Sequence, residues 1–343
     1  MDTMPFLARV HCITYNHAPY IIDAMNGFSM QQTDFPFVCT IIDDASTDGE
    51  PDVIKQYLEQ HFDLDDESTV RNEETDDYVL TFAQHKTNKN CFFAVLYLKY
   101  NHYSIKKSKD PYIKEWMNSK YIALCEGDDY WTHPKKLQKQ VDFLEANQDF
   151  VMCSHDYVYY YENQGRFKEK SFIKDYLYEK FKDDSPYYEY SLDNYFQDWF
   201  TQPLTCIYRN GEYLKSIPKN LYKFYRDDIF FYYVLKRGKG ALFQDIMGVY
   251  RINDSGVWST KNPLKRKRDS LYNAYNILKV EGDERAIFKM KRLEVEIILS
   301  QIRTFDIIGI ASDVWAYWKM VPFKHFLSFV VFLLKKAILR IAK

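Results

Sequence analysis

Three times in its first 150 residues the chain carries an apolar stretch straight into a polar loop and then into helical spacing. That repetition restricts the fold more than any other feature. Leu7-Ala-Arg-Val-His-Cys-Ile-Thr-Tyr15 reads as a strand ending at Asn16-His-Ala-Pro19, after which Tyr20 to Met30 places apolar residues at helical intervals. Phe37-Val-Cys-Thr-Ile-Ile42 is continuous in hydrophobicity and is expected to be buried on both faces. It ends in Asp43-Asp-Ala-Ser-Thr-Asp-Gly49, ahead of a helix from Pro51 to His61. The acidic, polar residues 63–90 are expected to hold a further short strand at Tyr78-Val-Leu-Thr81, and a late strand pair is expected over Ala241 to Arg251. Tyr121-Ile-Ala-Leu-Cys125 runs into Glu126-Gly-Asp-Asp129, a ring-rich turn closed by Pro134, and a helix over Lys135 to Glu145. Strand, loop and helix in alternation predict an α/β fold with a mainly parallel sheet flanked by helices. In such sheets a ligand site lies beyond the C-terminal strand ends. Here those ends carry Tyr15-Asn16, Asp43-Asp44 and Asp128-Asp129.

Adjacent carboxylates at the end of a buried strand repel each other and are costly to desolvate. A bound cation removes that cost, and a site with few protein ligands suits Mg²⁺ or Mn²⁺ also held by substrate phosphates. Gly127 lets the backbone turn sharply or approach a ligand. On local grounds Asp128 can equally be a cap for the following helix. Lone histidines such as His11, His17 and His155 read as packed or capping groups, and neither a zinc motif nor a P-loop is present.

The 343 residues allow one large domain or two, and the 30 Tyr and 25 Phe imply broad aromatic surfaces. The Tyr-rich stretches Tyr157 to Tyr161 and Tyr187 to Tyr195 fit either an acceptor cleft for sugar faces or a plain aromatic core. Six cysteines without CxxC spacing suggest buried reduced thiols and a cytoplasmic setting. The opening residues lack a basic start and an apolar core, so no secretory leader is expected. No stretch reaches the roughly 18 apolar residues of a membrane span. Charge is uneven: from Lys261 to Lys343 there are 17 Lys and Arg against 8 Asp and Glu, leaving 29 against 40 in the rest.

Taken in order, several stretches resemble family-2 glycosyltransferases of the GT-A fold. They are Cys12-Ile-Thr-Tyr-Asn-His17, Ile41-Ile-Asp-Asp-Ala-Ser-Thr-Asp-Gly49, Tyr121 to Trp131, Leu137 to Glu145, Arg226-Asp-Asp228 and Tyr250-Arg-Ile-Asn-Asp-Ser-Gly-Val-Trp-Ser259. The resemblance implies a catalytic domain over 1–260 and a nucleotide-diphosphate sugar donor, UDP-linked, with Mn²⁺ or Mg²⁺ as cofactor. It implies that Thr14, Tyr15, Asp43 and Asp44 hold the nucleotide, Asp44 accepting a hydrogen bond from a uracil N–H. Asp128 would reach the ribose or sugar, and Asp129, with Asp128, the metal. Arg251 and Trp258 would lie near the diphosphate and acceptor. Where the family often has a histidine this chain has Asn253, to which no diphosphate contact is assigned. The resemblance, by the family's spacing counted back from Gly238, implies a catalytic base at Asp227, with Asp228 its rival, while a helix N-cap is the local alternative for Asp227.

The implied activity is inverting, metal-dependent sugar transfer to a hydroxyl of a glycan or lipid-linked acceptor in cell-surface polysaccharide synthesis. An inactive nucleotide-sugar-binding or scaffold subunit of a membrane assembly is the alternative. Residues 261–343 are expected to form a basic, amphipathic helical region that contacts the inner face of the cell membrane peripherally or packs on the catalytic domain. Nucleic acid is not an expected partner, since no recognition motif accompanies the charge.

Overall fold

The computed structural model describes residues 6–181, 185–198, 200–222, 226–253, 262–304 and 306–341. The chain divides into two compact units. The first holds residues up to Tyr190 with Phe200–Lys215 and Arg237–Asn253; the second holds 191–199, 216–236 and the chain from Asp254 onward.

The first unit is built on one mixed sheet. Its labelled strands are β1 (Ala8–Thr14), β2 (Phe37–Asp43), β3 (Cys91–Leu98), β4 (Tyr121–Leu124), β5 (Phe150–Tyr161), β6 (Ile207–Arg209) and β7 (Lys239–Ile252). Their spatial order is β7-β5-β6-β4-β1-β2-β3, with Tyr187–Tyr190 beyond β7 and Tyr78–His85, then Phe62–Asp63, beyond β3. The centre is parallel: β4, β1, β2 and β3 run side by side in one direction. β6 is antiparallel to both its neighbours, and β7 lies parallel to β5. Every residue of β2 and β3 is buried, as uninterrupted apolar runs require.

Helices α1 (Ile21–Ser29), α2 (Glu50–His61) and α3 (Lys136–Ala146) follow β1, β2 and β4. Each buries a stripe at helical spacing: Ile21, Ala24, Met25 and Phe28 on α1, and Leu137, Val141 and Leu144 on α3. Gly49, at φ 91°, starts α2, and Pro51 occupies its first turn, where a missing N–H costs nothing.

Three stretches depart from the sequence expectation. The strand expected at Tyr78–Thr81 continues to His85 and pairs antiparallel with β3, which was not anticipated at all. Ala241–Arg251, expected as a strand pair, is one strand whose register slips between Phe243 and Gly248. The Tyr-rich start of 151–205 belongs to the twelve-residue β5. Its rings mostly pack on other rings, Tyr157 stacking on Phe172 at 5.1 Å and Tyr190 on Phe200 at 4.7 Å. All six cysteines are free and buried.

The second unit is helical. It contains α4 (Asp227–Leu235), α5 (Pro263–Glu281), α6 (Ala286–Arg303), α7 (Ile307–Met320) and α8 (Phe323–Ile341). Asn262 caps α5 through its side chain, and Gly282 closes it in the left-handed region. Among the described residues no helix is long and apolar enough to cross a membrane.

Phe93, fully buried on β3 with its ring 4.3 Å from that of Phe62, tests the sheet core. Phe93→Ala should cost about 3–5 kcal/mol. The measurement is a lower urea midpoint at unchanged slope.

Candidate active site

The parallel register brings the expected loops to one rim of the first unit. Thr14 lies opposite Asp43 at the ends of β1 and β2, and the Asp44 N–H donates to the Thr14 carbonyl at 2.9 Å. The chain leaving β4 joins the same rim, the Gly127 N–H donating to the Ile13 carbonyl at 3.2 Å. A Cβ on Gly127 would run into the Thr14 side chain, so only glycine lets this turn lie so close to β1.

Glu50, the first residue of α2, locks two of the loops together. Its fully buried carboxylate accepts from the Thr14 hydroxyl, from the His17 backbone N–H at 2.9 Å and from the Ser46 hydroxyl at 2.8 Å. Asn16, in the left-handed region at φ 56°, adds reciprocal bonds: its N–H donates to Ser46 Oγ, and its Oδ1 accepts from the Thr47 N–H, both at 2.8 Å. Sequence reasoning missed Glu50, because an acid in a helix's first turn reads as ordinary compensation of the helix dipole.

Asp44 is buried and fixes a third loop. Its carboxylate accepts from the backbone N–H groups of His102 at 2.7 Å and Tyr103 at 3.1 Å, and Lys109 Nζ lies 3.1 Å away. A carboxylate offers about four lone-pair positions, so one more donor can still be accepted. Asp43 accepts from the Ser46 N–H; burial first, with the charge of Glu50 adding, pushes its carboxyl up to about 6. Tyr15 stands at the same strand end with its side chain 43% exposed.

Asp128 and Asp129 follow Gly127 on this rim. Asp129 is buried and accepts from the Arg251 N–H of β7 at 2.8 Å. Burial and then the adjacent charge of Asp128 hold its carboxyl well above the ordinary range. Asp128 remains partly open, with the Asn253 side-chain amide donating to it at 3.3 Å and His17 Nε2 at 3.9 Å. It caps no helix: the residue preceding α3 is Lys135. Trp131 pins the turn from below, its indole N–H donating to the Leu204 carbonyl at 2.7 Å and Lys136 Nζ lying 3.9 Å from its ring.

Arg251 is tied to this turn from behind. Its Nε donates to the Asp128 carbonyl at 2.9 Å, and its two terminal nitrogens donate to Glu162 and, at 2.6 Å, to Asp23. The rings of Tyr20 and Tyr130 lie 4.8 and 5.2 Å from the guanidinium. Arg251 thus holds the acidic turn in place. Sequence reasoning named Arg251 without these partners, which lie 228 and 89 residues away in the chain.

A divalent cation fits the donor set of Asp128 and Asp129. One carboxylate is buried with raised proton affinity, the other is open, and they meet on a single turn. Among the described residues no group of three or more His, Cys, Asp or Glu gathers into an all-protein cage. An ion held here would draw its remaining oxygens from phosphates and water.

Asp227 and Asp228 lie in the second unit, in the first turn of α4. Arg226 precedes that helix, so Asp227 is not its cap. The Asp228 carboxylate is engaged, accepting from the Asn273 side-chain amide at 2.8 Å, while the Tyr195 hydroxyl donates to its carbonyl. Among the described residues Asp227 makes no side-chain hydrogen bond, and its side chain reaches solvent. Crowding by the surrounding chain and then the charge of Asp228 push its carboxyl up to about 6. Trp258 lies outside the described residues.

No family model matches the chain. It is 28% identical over 258 residues to the uncharacterised proteins Rv1520 of Mycobacterium tuberculosis and Mb1547 of Mycobacterium bovis, a match covering 74% of this chain and 61% of each relative. The chain thus spans under two thirds of the length of these curated relatives. Among solved structures it is similar to S. aureus TarS 1-349 in complex with UDP-GlcNAc, with a TM-score of 0.55 and 15% identity over 93% of this chain and 82% of that one. It is also similar to the mannosyltransferase PcManGT from Pyrobaculum calidifontis in complex with GDP-Man and Mn²⁺, with a TM-score of 0.50 and 14% identity over 99% of this chain and 81% of that one. The chain has the GT-A glycosyltransferase fold.

Because ionised Asp129 is costly when no cation is present, Asp129→Asn should raise the Tm of the metal-free protein at neutral pH. The wild-type carboxyl takes up its proton below its raised folded value, so the gain should shrink as pH falls from there toward the ordinary carboxylate range and vanish below that range. Differential scanning calorimetry across pH checks both parts.

Proposed function

We propose that the chain is a family-2 glycosyltransferase, moving a sugar from a UDP-sugar to a hydroxyl of a glycan or lipid-linked acceptor with inversion, in cell-surface polysaccharide synthesis. The observation that carries this reading is the meeting of Tyr15, Asp43, Asp44, Asp128 and Asp129 on one strand-end rim, in a fold shared with structures that hold UDP-GlcNAc and GDP-Man.

In this reading Tyr15 offers its exposed ring to the base, and Asp44 uses its remaining lone pair for the base N–H while steadying the loop at His102. Thr14 and Asp43 shape the floor of that pocket. Asp128, the more open carboxylate, turns to the ribose or sugar hydroxyls, and Asp129, with Asp128, would hold Mn²⁺ or Mg²⁺. When bound, that ion offsets charge growing on the leaving diphosphate. Arg251 keeps both carboxylates in register, and Trp258 retains the role its motif implies.

Asp227 takes the acceptor's proton. The acceptor oxygen forms a bond to the anomeric carbon from the face opposite the diphosphate, and the electron pair of the breaking carbon–oxygen bond leaves with the diphosphate. Asp228, bonded to Asn273, orients the helix start and raises the proton affinity of its neighbour. An ionised base is required, so turnover should fall about tenfold per pH unit below about 6.

The decisive experiment is a thermal-shift panel of nucleotide diphosphates and their sugars with and without Mn²⁺. UDP and its sugars should raise Tm only with the ion, by an increment that grows with ligand concentration. A response to GDP alone would reassign the base, and no response to any nucleotide would sink the reading. Metal-dependent UDP release separates an enzyme from an inactive binding subunit. With a competent donor and acceptor, Asp227→Asn should lower turnover by about 10²–10⁴-fold. Asp228→Asn should instead move the acid limb of the pH profile downward by removing a like charge.

A further inference from the structure

We propose that α7 and α8 form a docking surface for an anionic lipid bilayer. The two helices pack through Tyr317 and Phe329, both fully buried with ring centroids 4.6 Å apart, and are joined by Val321-Pro322. Each keeps another side apolar and open to solvent. On α7 the open stripe is Ile308, Trp315 and Trp318, at helical spacing, with Ile308 86% exposed. On α8 it is Leu327, Val331 and Leu334, each more than half exposed. Trp318 meets Phe326 across the pair at 6.4 Å, so the stripes connect. Contiguous exposed apolar surface of this kind marks an interaction site.

Charge chooses the occupant. From Val314 to Lys343 the sequence holds six Lys or Arg and no Asp or Glu. Lys319, Lys324, Lys335 and Lys336 are exposed on the two helices. Lys319 lies 4.7 Å from the ring of Trp315, which places a cation beside an indole. Asp313, the acid within α7, is paired with Arg268 at 2.7 Å. Beyond it, aliphatic residues backed by tryptophans and flanked by cations match the acyl boundary, interface and phosphate layer of an anionic leaflet. A second copy of this chain would bring six cations against six, so self-association is disfavoured by the same charges. No described helix can span the bilayer, so the contact is peripheral. This inference stands independently of the proposed transfer chemistry.

The test is co-sedimentation of the full chain with phosphatidylcholine vesicles with and without phosphatidylglycerol, at low and high salt. Binding is expected with phosphatidylglycerol, with loss in high salt and little binding to phosphatidylcholine alone. Lys335→Gln and Lys336→Gln should each lower partitioning about fivefold. Trp315→Ser with Trp318→Ser should abolish it while leaving the circular dichroism spectrum unchanged, since both side chains are exposed. No pelleting with either vesicle, or equal binding to both, overturns the proposal. So does a dimer in sedimentation velocity that the tryptophan variant dissolves, which would assign the face to a second copy.

Discussion

The carboxylate of Glu50 sits with no exposure among three donors drawn from β1, the loop after it and the loop after β2. A buried carboxylate that lost one of those donors would leave an expensive charge uncompensated. The two loops are therefore held as a unit, and the distance between Tyr15 and the Asp43-Asp44 pair is set before any ligand arrives. Asp44 extends the same principle to a third loop by accepting the His102 and Tyr103 N–H groups. Carboxylates thus do structural work along the rim where ligand chemistry is proposed, and preorganisation of that kind is what keeps the ordering cost of binding low.

The acidic turn is governed from the other side. Arg251 comes from β7, four strands from β1, yet its backbone N–H reaches Asp129 and its guanidinium reaches the Asp128 carbonyl, Glu162 and Asp23. One side chain so ties the end of β5, the start of α1 and the turn after β4. Gly127 supplies the complementary freedom, since any side chain there would displace Thr14. Burying Asp129 beside Asp128 is costly, a cost that a bound cation would offset.

Much of this was legible in the sequence because it is written locally. β1, β2 and β4 announce themselves as apolar runs ending in polar loops, acidic after β2 and β4, and their parallel alignment follows from the helices between them. The acidic residues named from those loops do meet on one rim of the first unit. β3 has no counterpart in the sequence expectation, although Cys91–Leu98 is apolar nearly throughout and wholly buried. Ala241 to Arg251 reads as a strand pair, yet the polar Gln244 and Asp245 fall at the register slip of one continuous β7. What no local pattern could show is pairing across the chain: Glu50 with Thr14, Arg251 with Asp23, Asp228 with Asn273. Asp227 and Asp228 are identical neighbours in the sequence; in the fold only Asp228 bonds Asn273, the difference on which the proposed choice of base rests.

The second unit is assembled from three passes of the chain, 191–199, 216–236 and the residues from 254 onward. Helix α4 emerges from the ribosome well before Asn273, Asp269 and Asp283, which later bond Asp228, Arg226 and Tyr232. Nascent α4, with a mean of one apolar ring or aliphatic group in nearly every position, must therefore wait without its partners while some fifty further residues are translated, several seconds at ordinary elongation rates. A truncation placed after the last strand would make that wait permanent, so the helical region cannot be trimmed away as an independent appendage without unsettling the acidic helix it completes.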